Sequence, residues 1–226
     1  FTGIFVAEEG GALPTEVRDV ETVRDPRLHF LSILVLIALM LGSLIGGYFL
    51  VRRYLSLGSY QRALYAYSQN GQVSQAEAGL QKAVRFDGSV DLYYRSLVDV
   101  YLIQMNQLVA QATEVNKDTV RSKFQGILSQ ALASANSAVA LNPGNYQNWL
   151  TLGRVYEAVV PLNIDGAYDL ATKSYAKALE VNPHSPQIHM TSTRLEVAKG
   201  DRKKARAYID LALKEKPNYT DALFML

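Results

Sequence analysis

Four stretches of this chain repeat one five-residue spacing, and that self-similarity limits its fold more than any other feature. Gly166, Ala171, Tyr175, Ala178 and Pro183 are separated by 5, 4, 3 and 5 residues, and Gly200, Ala205, Ile209, Ala212 and Pro217 follow the same intervals 34 residues later. Two earlier stretches match them: Gly126, Ala131, Ala135, Ala138 and Pro143, then Gly71, Ala76, Leu80, Ala83 and Gly88, where glycine replaces the final proline. Apolar positions three and four apart predict helices, and a period of this length predicts stacked helical hairpins. Small alanines let such helices cross closely, and Pro or Gly after the second helix stops it so that the next hairpin begins.

The helix before Gly166 carries the most specific pattern. Trp149, Leu152, Gly153 and Tyr156 read W-x2-L-G-x2-Y, and Ala171 and Tyr175 follow at A-x3-aromatic spacing, with Ala178 and Pro183 completing the unit. On these residues the stretch 57–217 resembles a tetratricopeptide repeat protein. The resemblance implies an all-α fold in which a large ring of one helix fills the space left by Gly or Ala on its neighbour. About four hairpins are expected, within an α-solenoid over residues 57–226.

Departures from the period carry their own expectations. Nine residues separate Tyr156 from Gly166 where the pattern leaves about three, so an insertion containing Pro161 lengthens that turn. Gly71 and Gly126 stand 55 apart, which predicts an elongated hairpin over residues 91–141. Its first helix gains about two turns, a break falls at residues 116–118, and the second helix runs from about residue 119 to 141. The last unit lacks the aromatic pattern, with His189 in the slot of Trp149.

Residues 28–51 form 24 consecutive positions without Asp, Glu, Lys or Arg, more than the ~20 needed to cross a bilayer. Asp25, Pro26 and Arg27 precede the run and Arg52 and Arg53 follow it. Three segments are expected: an N-terminal extramembrane segment 1–27, a transmembrane helix 28–53 and the solenoid. Within the run Gly42, Ser43, Gly46 and Gly47 give one face small enough for a partner transmembrane helix or a second copy, although glycine is common in membrane helices in any case. His29 and Tyr48 suit the headgroup level and are assigned no chemistry. Arg18, Arg24 and Arg27 before the run balance Arg52, Arg53 and Arg62 after it. The doublet leans towards a cytoplasmic C-terminal side, and both topologies stay open. A near-continuous helix from the run into the first repeat is expected, with Gly58 costing about 1 kcal/mol relative to alanine.

Chemistry is bounded mostly by what is missing. Twenty-three Lys and Arg against 21 Asp and Glu give no bulk charge that points to nucleic acid. With no cysteine, thiol catalysis and cysteine-ligated metals are excluded. His184 and His189, five residues apart, have the wrong spacing for two ligands on one helix face, and both are read as surface histidines. No nucleotide-binding, hydrolase or calcium-loop motif occurs, so no catalytic residue, cofactor or metal is expected in this segment. Asn218, Tyr219 and Thr220 form a glycosylation sequon.

The functional surface expected from the resemblance is the concave groove lined by the first helix of each hairpin. Equivalent slots there are Tyr65, Asp99, Arg154 and Arg194, with Gln61, Arg95, Leu150 and Met190 at the neighbouring position. Arg95, Arg154 and Arg194 would receive a carboxylate or an acidic peptide. The plainer reading is a solvated face in which Asp99 and Glu157 neutralise them.

These features give a membrane-tethered scaffold that mediates protein–protein contacts or assembly through its concave face. Two alternatives remain. One transmembrane span followed by repeats looks like the C-terminal part of bacterial O-antigen ligase or polymerase-type membrane proteins, which implies an accessory to glycan transfer in a bacterial cell membrane; no catalytic motif of that family is matched. The other is a self-assembling structural membrane subunit. The start at Phe1 and the apolar finish Ala222, Leu223, Phe224, Met225 and Leu226 are expected to mark a piece of a longer protein.

Overall fold

The computed structural model describes residues 26–113 and 115–226, and all regular structure among them is helical. The segment expected over residues 1–27 lies, up to residue 25, outside the described residues. The chain divides into two units, Phe1–Tyr48 and Phe49–Leu226.

The described part of the first unit belongs to α1 (Pro26–Asn70). Every described side chain from Arg27 to Tyr48 is exposed, so this stretch of leucine, isoleucine and valine has no core of its own. The helix is long and apolar enough to cross a membrane over Arg27–Gln69, with a mean hydropathy of 2.5 in its most apolar window. Nothing breaks α1 between residues 53 and 57, and Gly58 lies inside it. No proline occurs there, and one glycine costs too little to stop a helix of this length.

The second unit continues with α2 (Val73–Phe86), α3 (Asp91–Ala110), α4 (Lys117–Leu141), α5 (Tyr146–Glu157), α6 (Ala167–Val181), α7 (Pro186–Lys199), α8 (Arg202–Glu215) and the short α9 (Thr220–Phe224). The most extensive packing joins α3 to α4, α5 to α6 and α7 to α8, a succession of hairpins. The alanines of the repeated spacing, Ala76, Ala83, Ala131, Ala135, Ala138, Ala171, Ala178, Ala205 and Ala212, are all buried, because a methyl group is what fits where two helices cross. Gly79 plays the same part unannounced by the spacing: a Cβ there would stand 2.8 Å from the Ala63 methyl of α1. The first glycine of three of the four repeats takes left-handed φ, 60°, 77° and 87° at Gly71, Gly166 and Gly200, which a side chain resists. Gly126 instead lies within α4.

The elongated hairpin is present, with 20 residues in α3 and 25 in α4. Its connection closes on Asn116, whose Oδ1 accepts from the Thr113 amide at 2.7 Å and whose amide group donates to the Gln111 carbonyl at 3.0 Å. α4 then starts at Lys117, two residues before the expected position. The insertion after α5 forms a 3₁₀ turn, Val160–Leu162, and then a left-handed Asn163 with φ 54°. The two departures from the period meet in space. Met105 of α3 and Val159 beside the turn are buried together with Ala167, against Phe124, Ile127 and Leu128 of α4. The extra turns of one hairpin are thus covered by the extra residues of the next.

α7 forms as a full helix, started by Pro186. Its His189 corrects the expectation of two surface histidines: in the slot of Trp149 it is buried, and burial holds its pKa below the ordinary value against the charge of Glu215. His184 is exposed, 3.1 Å from Glu215.

Candidate partner-binding cavity

The first helices of three hairpins and the inserted turn line an open cavity of about 780 Å³. α3 contributes Arg95 and Asp99, α5 contributes Gln147, Leu150, Arg154 and Glu157, α7 contributes Thr191 and Arg194, and the inserted turn contributes Pro161. Of the eight groove positions read from the sequence, the structure therefore brings five together: Arg95, Asp99, Leu150, Arg154 and Arg194. The other three lie elsewhere. Met190 is 4% exposed and packs with Ile209, Ala212 and Ala222, because α8 and α9 cover that side of α7. Gln61 lines a small cleft between α1 and α2, and Tyr65 is exposed on α1; α1 supplies no wall of the large cavity.

The three arginines differ in how they are engaged. Arg154 donates to Asp99 at 2.8 Å, a pair 42% and 51% exposed, and an exposed pair of this kind contributes about 0–1 kcal/mol. Arg194 stands 4.0 Å from Glu157 and also donates to the Thr191 hydroxyl at 3.3 Å. Arg95 donates to the Gln147 side chain, while its Nε is buried without a hydrogen-bond partner. Three cations face two carboxylates, so the lining keeps an excess of one positive charge when Glu157 is ionised. The neutralising role read for Asp99 and Glu157 describes only part of this arrangement.

Glu157 is the least ordinary group in the wall. Burial pushes its carboxyl up, against the opposing influence of a hydrogen bond from the Tyr175 hydroxyl and the charges of Arg194 and Arg154. Burial likewise raises the Tyr175 hydroxyl, and the adjacent Glu157 charge raises it further. Tyr175 reaches that carboxylate because its ring lies against Gly153, one turn before Glu157, where there is no side chain in the way.

Sequence reading missed the polar knot beneath the cavity. Asn148 is fully buried, and its amide group lies 2.9 Å from Asp91 Oδ2, the Ala138 carbonyl and the Asn142 carbonyl. Asn145 donates to the same Asp91 oxygen at 2.9 Å. Burial alone would raise the Asp91 carboxyl, but the bonds from Asn148 and Asn145 and the charge of Arg95 hold it below its ordinary value. Position 148 sits next to the Trp149 of the aromatic pattern, which was its one signal. Trp149 donates its indole N–H to the Pro143 carbonyl at 2.8 Å, so adjacent residues fasten the α4–α5 turn from two sides.

On the first unit, a Cβ placed at Gly42, Gly46 or Gly47 would meet nothing within 4 Å, and Ser43 is exposed. Among the described residues no group of His, Cys, Asp or Glu is arranged to hold a metal ion.

Residues 162–226 match the tetratricopeptide repeat family. The match covers α6–α9, and the earlier hairpins continue its spacing. Over 95 residues the chain is 32% identical to human superkiller complex protein 3, a stretch that is 42% of this chain and 6% of that protein. The chain thus spans a small fraction of that relative's length. Among solved structures, a tetratricopeptide repeat protein of Thermus thermophilus superposes with a TM-score of 0.60 at 24% identity, covering 74% of this chain and 77% of the other. MamA superposes with a TM-score of 0.51 at 19% identity, covering 74% and 81%. At these identities the shared property is the fold, a tetratricopeptide-like solenoid. Such repeats generally serve as non-enzymatic scaffolds for protein–protein contacts.

Proposed function

We propose that this chain is a membrane-tethered scaffold that holds an extended, acidic segment of a partner protein in the cavity between α3, α5 and α7. The observation that carries the reading is the convergence of Arg95, Arg154 and Arg194 on one cavity whose lining holds two carboxylates, Asp99 and Glu157, with Asp91 beneath Arg95 outside that lining. Arginine forks suit carboxylates, and pairs as exposed as Arg154 with Asp99 can exchange an internal carboxylate for one from a ligand at little cost. Leu150, Pro161 and the stem of Thr191 offer apolar wall for the ligand's side chains between its charges. The uncharged run 28–51 supports the tether, since its leucines and valines have no protein partner within the described chain.

The test uses the full chain in detergent and a fluorescein-labelled peptide of alternating glutamate and leucine, read by fluorescence anisotropy. The variant with Arg95→Ala, Arg154→Ala and Arg194→Ala should lose binding at least about tenfold while its helical content by circular dichroism stays that of the parent. Unchanged binding overturns the cavity reading. For the tether, the chain should resist alkaline carbonate extraction from membranes, and release into the soluble fraction overturns it.

A further inference from the structure

We propose that the start of the second unit carries a basic and aromatic face that binds anionic lipid headgroups. The proposal rests on the reading that residues 28–51 span a bilayer, because Arg52 and Arg53 follow that run directly in the sequence.

Residues 52–87 hold five cations, Arg52, Arg53, Arg62, Lys82 and Arg85, and two acids, Glu77 and Asp87. Glu77 is occupied elsewhere, accepting from Gln81 at 2.8 Å and from Gln104 of α3 at 2.7 Å. Asp87 accepts from the Ser89 hydroxyl at 2.6 Å and the Ser89 amide at 3.1 Å. Those two bonds, with the charges of Arg53 and Arg52, hold its carboxyl below the ordinary value against burial. The cations of this stretch outnumber its carboxylates five to two, and Asp87 is the acid held near Arg53 and Arg52. Among the described residues no carboxylate lies within ion-pair distance of Arg53, Arg62, Lys82 or Arg85, in contrast to Arg154 and Arg194 in the cavity.

Helix packing gathers these charges from two elements. Arg52 Nη2 donates to the Arg85 carbonyl at 3.1 Å, and the Ser56 hydroxyl donates to the Ala83 carbonyl at 2.9 Å. The last turn of α2 is thereby fastened beside the first turns of α1 in this unit. Phe86 stands between two clefts. One, about 410 Å³, is walled by Phe49, Arg52, Arg53, Asp87 and Ser89, so two arginines there face one carboxylate; the other, about 150 Å³, is walled by Tyr54, Gly58, Arg62 and Lys82 with no carboxylate in its lining. The Lys82 ammonium lies 5.9 Å from the centre of the Phe86 ring, holding a cation at the rim of the second cleft.

The apolar side chains around the clefts decide the kind of partner. On the smaller cleft Tyr54 is 77% exposed, and Leu55 and Leu57 are also exposed. A soluble anion satisfies the arginines and leaves these side chains in water, whereas a headgroup layer offers phosphate to the cations and acyl chain to the leucines and the tyrosine ring. The attraction of each Lys or Arg to an anionic surface is screened by salt.

Because the chain has no cysteine, Gln61→Cys and Lys203→Cys each give the full chain one labelling position, the first on the smaller cleft and the second on α8. Each labelled chain is reconstituted into vesicles of phosphatidylcholine, or of phosphatidylcholine with one-third phosphatidylglycerol, that carry a headgroup nitroxide lipid. Quenching at position 61 should rise about twofold or more with phosphatidylglycerol. It should fall back in high salt and in the variant with Arg62→Ala, Lys82→Ala and Arg85→Ala, while position 203 does not respond. The single exposed change Lys82→Glu, which leaves the core untouched, should give a partial loss. Equal quenching in both vesicle types, or variants that behave as the parent, overturns the proposal. Flotation of the same samples separates the two readings. A chain that floats with both vesicle types without lipid-dependent quenching keeps the span and removes the face. One that floats only with phosphatidylglycerol, and only with its three cations intact, keeps the face and removes the span.

Discussion

The ring of Tyr175 lies so close over Gly153 that a Cβ at position 153 would overlap it. This one contact joins packing to chemistry. The absent side chain on α5 lets the α6 ring approach, and the ring then delivers its hydroxyl to Glu157 in the cavity wall.

Gly153→Ala should therefore destabilise the solenoid by about 1–3 kcal/mol through overpacking. The shift in urea midpoint at constant slope measures it. Tyr175→Leu in the same chain should recover part of the loss, because it removes the ring that the new methyl meets. A silent Gly153→Ala would show that α5 and α6 do not cross at this distance in solution.

Glu157 makes stability depend on pH in a direction opposite to that of a paired surface carboxylate. Its folded carboxyl is raised above the ordinary value of 4.5, so the folded state holds a proton that the unfolded chain releases. Its contribution is most favourable below that value and declines as pH rises through the raised one. Glu157→Gln keeps an acceptor for Tyr175 and removes the ionisation. Urea midpoints taken from pH 4 upwards should then show the variant gaining on the parent as pH increases. Parallel curves would mean that the carboxyl titrates normally.

Asn148 predicts the opposite acid response through Asp91. Asn148→Leu strips donors from Asp91 and from the Ala138 and Asn142 carbonyls, which should cost about 2–3 kcal/mol. In the parent, the Asp91 carboxyl is held below its ordinary value of 3.8. That stabilisation is present above pH 3.8 and is lost as pH falls through the lower folded value. The variant should retain less of this acid sensitivity, as followed by the thermal midpoint between pH 5 and pH 2.5. Equal acid sensitivity in both chains would show that Asn148 does not hold the carboxylate.

The repeat positions were legible because each is fixed by a local demand. Alanine is needed where helices cross, glycine where the backbone turns left-handed at Gly71, Gly166 and Gly200, and proline or glycine two residues beyond a helix end. The elongated α3–α4 hairpin was legible as broken period. Its covering by the insertion at Val159 and Val160 was not, because that contact joins residues far apart in the chain. The cavity was half legible. Counting along equivalent helices found Arg95, Arg154 and Arg194 but placed Met190 with them, and only the packing of α8 and α9 over α7 puts Met190 in the core. Asn148, with no repeated counterpart among the other units, gave no periodic signal at all.

Periodicity by itself determined that the repeats are helical, where most of their hairpins turn and which alanines lie at their crossings, because each of these follows from the backbone geometry of one or two turns. Tertiary structure alone decided which charges face one another: whether Arg154 meets Asp99, whether Glu157 is buried beneath Tyr175, and whether Arg53, Arg62, Lys82 and Arg85 stand beyond ion-pair distance of every described carboxylate. Those outcomes depend on distances between separate helices, and electrostatics changes with a few ångströms of separation and with burial, neither of which a spacing in the sequence specifies.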